Sequence, residues 1–389
     1  MQDLEKYYQY LPIFLIAFIS SFVLTPIVGY LAKKLNILDL PASMRKAKDR
    51  GIGTIMHDKP IAKLGALAVI APIIAIALYY LPFDKELIGV IAGLIILTIG
   101  GYLDDKYNLP GATQFLFQIL AAVVIVLTGT GIQSLRNPFG NNFNLIWTEI
   151  PFYIKETAYH LSLPSDLITI AWIVLVINSM NWVAGIDGLV EGLTGISAII
   201  ITLLSVRFFT HPTAVIGAAL AGAVLGFLPF NFSPAKILSG SIGDYVYGFL
   251  LAVLSIYSGA KFATALMLLG IPILDAIWVI VYRIRIFKPK NIKELWKAVL
   301  SPDKIHLHHR LLEMGLTVKQ VNYIEYSIVA ILGVIAFLLT GLLKTLALFI
   351  SLILGFAFII YTTRKSVKTG KKLGRKAEFE ESPEKKFAY

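Results

Sequence analysis

Apolar stretches long enough to cross a bilayer recur along this chain, and they restrict its fold more than any other feature. They lie near 11–32, 61–82, 87–103, 114–132, 165–182, 192–209, 213–230, 244–258, 262–284, 320–343 and 346–362. A hydrocarbon core about 30 Å thick is crossed by about 20 helical residues. Lipid offers no water to unpaired backbone groups, so such segments must be helices. The expected fold class is an all-α polytopic membrane protein, a bundle of about 11 transmembrane helices. The third run is borderline and the eighth is short, so ten is the alternative. Only 15% of the 389 residues are charged, against about 25% in a soluble domain. Cysteine is absent, which excludes disulfides, thiolate metal sites and a cysteine nucleophile. The mixed start "MQDLEKYYQY" has no small-residue cleavage site behind the first run, so no cleavable signal peptide is expected.

Charge sets the orientation. Of the 35 Lys and Arg residues, 28 fall at one set of alternating span ends and in the C-terminal segment. The positive-inside rule puts that face in the cytoplasm, with the N-terminus outside. Residues 1–362 then form one membrane domain, and 363–389 a basic cytoplasmic tail suited to topology and anionic headgroups. The outer loop 133–164 is expected to lie partly in the interface. The inner loops 33–60, 104–113, 183–191, 231–243 and 285–319 hold almost every unusual polar residue, which suggests a site on that face.

Four constellations stand out there. In "GYLDDKYNLP", Asp104 and Asp105 close an apolar helix. Neighbouring acids raise each other's pKa unless a cation holds them. They are either a solvated helix end or part of a Mg²⁺ site, an ion that takes one or two carboxylates and fills its shell with water and phosphate oxygens. In "NSMNWVAGIDGLVEG", Asn178 and Asn181 share a helical face, and Gly185 and Gly188 allow close backbone approach to a ligand. Asp187 and Glu191 add acid four residues apart. In "FNFSPAKILSGSIGDYVYGF", Lys236 precedes a turn into a helix carrying Asp244, a setting that favours an anion. In "SPDKIHLHHRLLEMG", His306, His308 and His309 stand beside Lys304 and Arg310. A zinc site and a solvated basic loop are alternatives to recognition of phosphate and a polar base. Acids for a divalent ion and basic groups for phosphate on one face describe phosphoryl transfer from a soluble donor.

With "DDKYNL", "NxxNWxxGxDGL", "FNFSPAKI", "PILDAIW" and the histidine segment in this order, the chain resembles the polyprenyl-phosphate N-acetylhexosamine-1-phosphate transferases from about Leu24 to Gly315. The histidine segment resembles the branch that transfers N-acetylglucosamine-1-phosphate. The resemblance implies a Mg²⁺-dependent cytoplasmic site, with Mn²⁺ as an alternative, in a multi-pass protein of the bacterial inner membrane. It implies transfer of a sugar-1-phosphate from a UDP-N-acetylhexosamine to undecaprenyl phosphate, with release of UMP, in cell-surface glycan synthesis. Membrane lipid, a homodimer as in many relatives, and no nucleic acid are the implied partners. Asp104, Asp105 and Asp187 match the catalytic acids, Asp105 and Asp187 match the metal site, and Asp244, which falls beside the aligned position, is the provisional further ligand. Lys63, Asn178, Asn181, Lys236, His306, His308, His309 and Arg310 match substrate-binding positions.

The chain departs from that pattern at four places. Ala184 stands where an aspartate is usual, Gln114 where a lysine is common, and Ala66 where a paired glycine is expected. In the third motif an ungapped alignment puts Ser241 at the metal aspartate, with Asp244 three residues on, on the same helical face. These departures leave one rival expectation, a catalytically silent relative that binds polyprenyl lipid or nucleotide sugar as an assembly platform. A transporter is disfavoured, because the polar residues stand at helix ends on one face rather than at mid-bilayer depth.

Overall fold

A computed structural model describes residues 2–41, 44, 57–135, 140–154, 157–258, 261–299 and 305–372. Lys304 and residues 373–389 of the basic tail lie outside the described residues. In chain order, α1 (Gln2–Tyr8) precedes α2 (Leu11–Lys34), and β1 (Leu38–Asp39) pairs antiparallel with β2 (Ile61–Ala62). Then come α3 (Ala66–Tyr80), α4 (Lys85–Tyr107) and α5 (Gly111–Leu127). Two antiparallel pairs follow, β3 (Ser134–Leu135) with β4 (Phe143–Asn144) and β5 (Ile146–Ile154) with β6 (Thr157–Pro164). The remainder is helical: α6 (Ser165–Val183), α7 (Leu189–Arg207), α8 (His211–Asn231), α9 (Gly240–Tyr257), α10 (Lys261–Leu268), α11 (Gly270–Phe287), α12 (Ile292–Val299), α13 (Leu307–Glu313), α14 (Val318–Leu338) and α15 (Gly341–Lys372).

The all-α polytopic architecture is as expected, but the count of eleven spans is not reached. Among the described residues, eight helical segments are long and apolar enough to cross a membrane. Helices α3 and α5 are apolar but have 15 and 17 residues. At 1.5 Å per residue they reach only about 22–26 Å. The apolar run 262–284 is divided at Leu269 into α10 and α11. The loop 133–164 contains a hairpin that apolar periodicity alone did not reveal. Its strands pair in register, Glu149 with Ser162 and Ile150 with Leu161, and β5, "IWTEIPFYI", is rich in β-branched and aromatic residues. The Asp166 carboxylate anchors it by accepting the Ser162 N–H at 2.7 Å. Helix α15 continues past 362 through Lys372, so the start of the basic tail is helical.

The core is the trio α7, α8 and α9. Their spans are 83%, 78% and 72% buried, whereas the last span is 17% buried and faces lipid. Small residues let the backbones meet, which is how helices associate where burial gives no driving force. Gly222 and Gly226, four apart on α8, face the carbonyls of Phe14 and Phe18 on α2, with no room for a methyl group. A Cβ on Gly248 of α9 would stand 2.6 Å from the Cα of Ile177 on α6. One on Gly101 of α4 would stand 2.5 Å from the Cα of Ile242 on α9. These contacts bring the C-terminal ends of α4 and α6 against the N-terminal end of α9.

Candidate active site

Asp104 and Asp105 end α4 at the first turn of α9, three and four residues beyond the Gly101 contact. Asp104 is held by four donors. Its Oδ1 accepts the Leu109 N–H and the Gln114 amide, both at 2.9 Å. Its Oδ2 accepts the Ser241 hydroxyl at 2.7 Å and the Tyr245 hydroxyl at 3.3 Å. Gln114, at the position where a lysine was expected, thus supplies a neutral donor. Asp105 differs. Its Oδ1 accepts the Ser241 N–H at 3.1 Å and faces Lys63 Nζ at 3.4 Å. Its Oδ2 is buried without a hydrogen-bond partner and rests over Gly240, whose φ of +74° and missing Cβ make the room. A buried carboxylate oxygen in that state awaits a donor or a cation. The two acids are therefore neutralised by a lysine and by the amide end of α9, where the helix dipole favours negative charge.

Lys63 is delivered by a short strap. Ala62 bridges to Ile237, the Leu238 N–H donates to the Ala62 carbonyl at 2.9 Å, and the Gly65 N–H donates to the Leu238 carbonyl at 2.9 Å. Burial works against the charge on Lys63, but Asp105 and then Asp39, 3.9 Å away, hold its pKa above the ordinary lysine value. Asp244 lies one turn into α9, close enough to feel Glu191, Asp105 and Asp104. Glu191 is buried and hydrogen-bonded with Ser239. Ser241 donates its hydroxyl to Asp104 at 2.7 Å.

Asp187 sits at the α6–α7 turn on the same end of the bundle. Its Oδ2 accepts the Ala235 N–H at 2.9 Å and its Oδ1 faces His57 Nε2 at 3.1 Å. His57 went unrecognised in the sequence, although it stands in the polar loop 33–60, six residues before Lys63. The hydrogen bond to Asp187, only partly opposed by burial, raises its pKa above the ordinary imidazole value. Lys236, next to Ala235, is exposed. The Ala235 amide beside it donates to Asp187.

The glycines of this turn accommodate the protein itself. A Cβ on Gly185 would run into the His308 ring, and one on Gly188, at φ +79°, would meet Phe232 at 3.1 Å. The expectation that they admit a ligand is corrected accordingly: they admit a histidine and a phenylalanine. Asn178, expected to bind substrate, donates its amide to Gln118 on α5 and to the Val174 carbonyl. Asn181 lies half-buried three residues on, with no side-chain hydrogen bond among the described residues.

The histidine segment is closed in this state. His306, His308 and His309 are 5%, 1% and 7% exposed. Burial, then the neighbouring His309, pushes the His308 pKa well below the ordinary imidazole value, so His308 is neutral at pH 7. Its Nε2 has no hydrogen-bond partner. His306 Nδ1 contacts Asp275 Oδ2 at 2.8 Å, and its ring tilts against Trp182. Asp275 also accepts the Leu307 N–H at 3.0 Å and pairs with Arg310. Arg310 is fully buried and donates to the Ile359 carbonyl, Thr362 and Thr363 of α15. It therefore ties α13 to α11 and α15, a structural load rather than the substrate contact expected of it. Asp275 was legible only as part of "PILDAIW".

The ends of α4, α6, α7, α9 and α13 thus share one end of the bundle and gather Asp104, Asp105, Asp187, Asp244, Lys63 and the histidines. Among the described residues no three His, Asp or Glu side chains converge closely enough to hold a metal ion by themselves. Oxygen donors of this kind still suit a hard cation that needs only one or two carboxylates, and Asp105 Oδ2 is the atom best prepared for it.

A family model described as glycosyl transferase family 4 matches residues 87–259, from α4 to the end of α9. The chain is 29% identical over 359 residues to the probable undecaprenyl-phosphate N-acetylglucosaminyl 1-phosphate transferase of Bacillus subtilis (strain 168), covering 90% of this chain and 88% of the relative. It is 30% identical over 357 residues to the decaprenyl-phosphate N-acetylglucosaminephosphotransferase of Mycobacterium leprae (strain TN), with 83% and 81% covered. It is 27% identical over 318 residues to the phospho-N-acetylmuramoyl-pentapeptide-transferase of Staphylococcus haemolyticus (strain JCSC1435), with 77% and 90% covered.

Proposed function

The chain belongs to glycosyl transferase family 4, the polyprenyl-phosphate N-acetylhexosamine-1-phosphate transferases, and on that premise we propose that it transfers N-acetylglucosamine-1-phosphate from its UDP-sugar to undecaprenyl phosphate. UMP is the leaving product, the site faces the cytoplasm, and the membrane is a bacterial inner membrane. The observation that carries this reading is the unpartnered Asp105 oxygen beside Lys63 and the first turn of α9, with Asp244 close behind it. Two of the relatives carry N-acetylglucosamine in their printed names, which favours that donor.

In this mechanism Asp105 and Asp244 would hold Mg²⁺. Such an ion, when bound, neutralises the charge that develops as UMP departs. An oxygen of the lipid phosphate forms a bond to the phosphorus carrying the sugar, and the bond from that phosphorus to the UMP oxygen breaks. A phosphate monoester has a second pKa near 6, so the acceptor is largely dianionic at pH 7 and needs little help from a base. Lys63 offsets the charge of the incoming phosphate. Asp104, fixed by its four donors, orients the acceptor from one side. Asp187, with His57, lies toward the donor.

UMP release by purified protein from UDP-N-acetylglucosamine, undecaprenyl phosphate and Mg²⁺ tests the reading. Release only from another UDP-N-acetylhexosamine would correct the donor, and no release with tight retention of lipid or nucleotide sugar would make the chain a silent relative. The third-motif departure gives a sharper expectation. Asp244→Ala should raise the Mg²⁺ concentration needed for half-maximal rate by about tenfold or more, the worth of one charged contact. Ser241→Ala should leave that concentration within about twofold and lower the rate modestly, because it removes one of four donors to Asp104. The opposite ranking would hand the metal position to Ser241.

A further inference from the structure

On the flank of the bundle, between α11 and α15, lies a cavity of about 430 Å³. Ile277, Trp278, Phe356 and Ile360 form its apolar wall, while Arg285 and Arg364 stand at one end. It shares no lining residue with the site acids Asp104, Asp105, Asp187 and Asp244.

We propose that this cavity binds an anionic glycerophospholipid, its phosphate between Arg285 and Arg364 and an acyl chain along the apolar wall. Three observations support this occupant. Arg285 and Arg364 are exposed, and neither is paired with an acid among the described residues. A guanidinium fork fits phosphate oxygens in two-point geometry, and basic recesses between membrane helices suit anionic headgroups. Ile277 and Phe356 are also exposed, 45% and 46%, on helices that face hydrocarbon. Finally, the Trp278 Nε1–H is shut off from solvent without a hydrogen-bond partner. Buried donors of that kind are ordinarily satisfied, and a small outward turn of the ring would offer this one to a lipid ester or phosphate oxygen. The site touches the rest of the molecule through Thr363, which lines the cavity and receives a hydrogen bond from Arg310. Lipid there holds the basic end of α15 against α13, and through Arg310 and Asp275 it steadies the histidine segment.

Native mass spectrometry of the delipidated full chain tests this. The detergent-purified protein is offered dioleoyl phosphatidylglycerol, dioleoyl phosphatidylcholine or undecaprenyl phosphate, singly and in competition. Phosphatidylglycerol should be retained at one molecule per chain in preference to phosphatidylcholine. Arg285→Gln with Arg364→Gln should weaken that retention about tenfold or more, since each charged contact is worth at least that much. Arg285→Lys with Arg364→Lys should keep a measurable part of it. Lys33→Gln with Lys34→Gln, at the exposed end of α2, should leave retention unchanged. Equal retention of phosphatidylcholine, no loss in the glutamine pair, or an equal loss in the α2 control would overturn the proposal. So would preferential displacement by undecaprenyl phosphate, which would make the cavity the acceptor's own groove.

Discussion

Asp105→Asn is expected to lower turnover roughly 10³-fold, about 4 kcal/mol of barrier, while the bundle stays folded. Asparagine preserves the shape of the side chain, and its carbonyl can still accept the Ser241 N–H that Asp105 Oδ1 accepts now. Lys63 keeps Asp39 as an acid neighbour at 3.9 Å, so no buried cation is stranded. What disappears is the negative charge on Oδ2, the one buried carboxylate oxygen of the Asp104–Asp105 pair with no partner. Asp104→Asn makes an instructive contrast. Both Asp104 oxygens accept from donors, so an asparagine removes the charge they stabilise, and the Ser241 and Tyr245 hydroxyls must turn round to accept from its amide. That variant should lose rate and also about 1–3 kcal/mol of stability. Initial rates of UMP release, measured beside thermal unfolding in the same detergent, separate the two effects. Asp105→Asn within a few-fold of the parent rate, at unchanged unfolding temperature, would remove Asp105 from the chemistry.

The membrane fold was legible because its cause is local: every run of about 20 apolar residues must satisfy its own backbone in lipid. The gathering of the acids was legible for a related reason. Polar groups at helix ends on one face of a bundle have few places to be, and Asp104, Asp187 and Asp244 all end or begin apolar helices. What could not be read is decided by contacts between distant segments. Gly185 and Gly188 look like a ligand's doorway in sequence, but His308, 123 positions on from Gly185, and Phe232 fill the space. Asn178 shares the motif of Asn181, yet Gln118 on a neighbouring helix takes its amide. His57 carries no periodicity or motif of its own and becomes visible only once the strap through Ala62 and Leu238 puts its loop beside Asp187. Ser241 and Asp244 could not be ranked by alignment. Their settings differ in a way alignment does not show: Ser241 donates to Asp104, while Asp244 stands among other acids.

Asp275→Asn is expected to cost about 3–5 kcal/mol of stability, the penalty for leaving one member of a buried ion pair uncompensated. Asp275 is 1% exposed and Arg310 fully buried, so water cannot replace the lost charge. The same carboxylate positions His306 and the Leu307 N–H, and the variant should therefore also slow turnover by loosening α13. Arg310→Leu should be comparably costly, because it strands Asp275 and removes the donors to Ile359, Thr362 and Thr363. The decisive measurement is the pair together. Replacing both partners with apolar residues removes the desolvation of each charge, so Asp275→Leu with Arg310→Leu should lose clearly less than the separate losses of Asp275→Leu and Arg310→Leu added. Reversible unfolding in mixed micelles gives the three free energies. If the single variants fall within about 0.5 kcal/mol of the parent and simply add, the pair is idle, and something other than this clamp must hold the histidine segment shut over the α6–α7 turn.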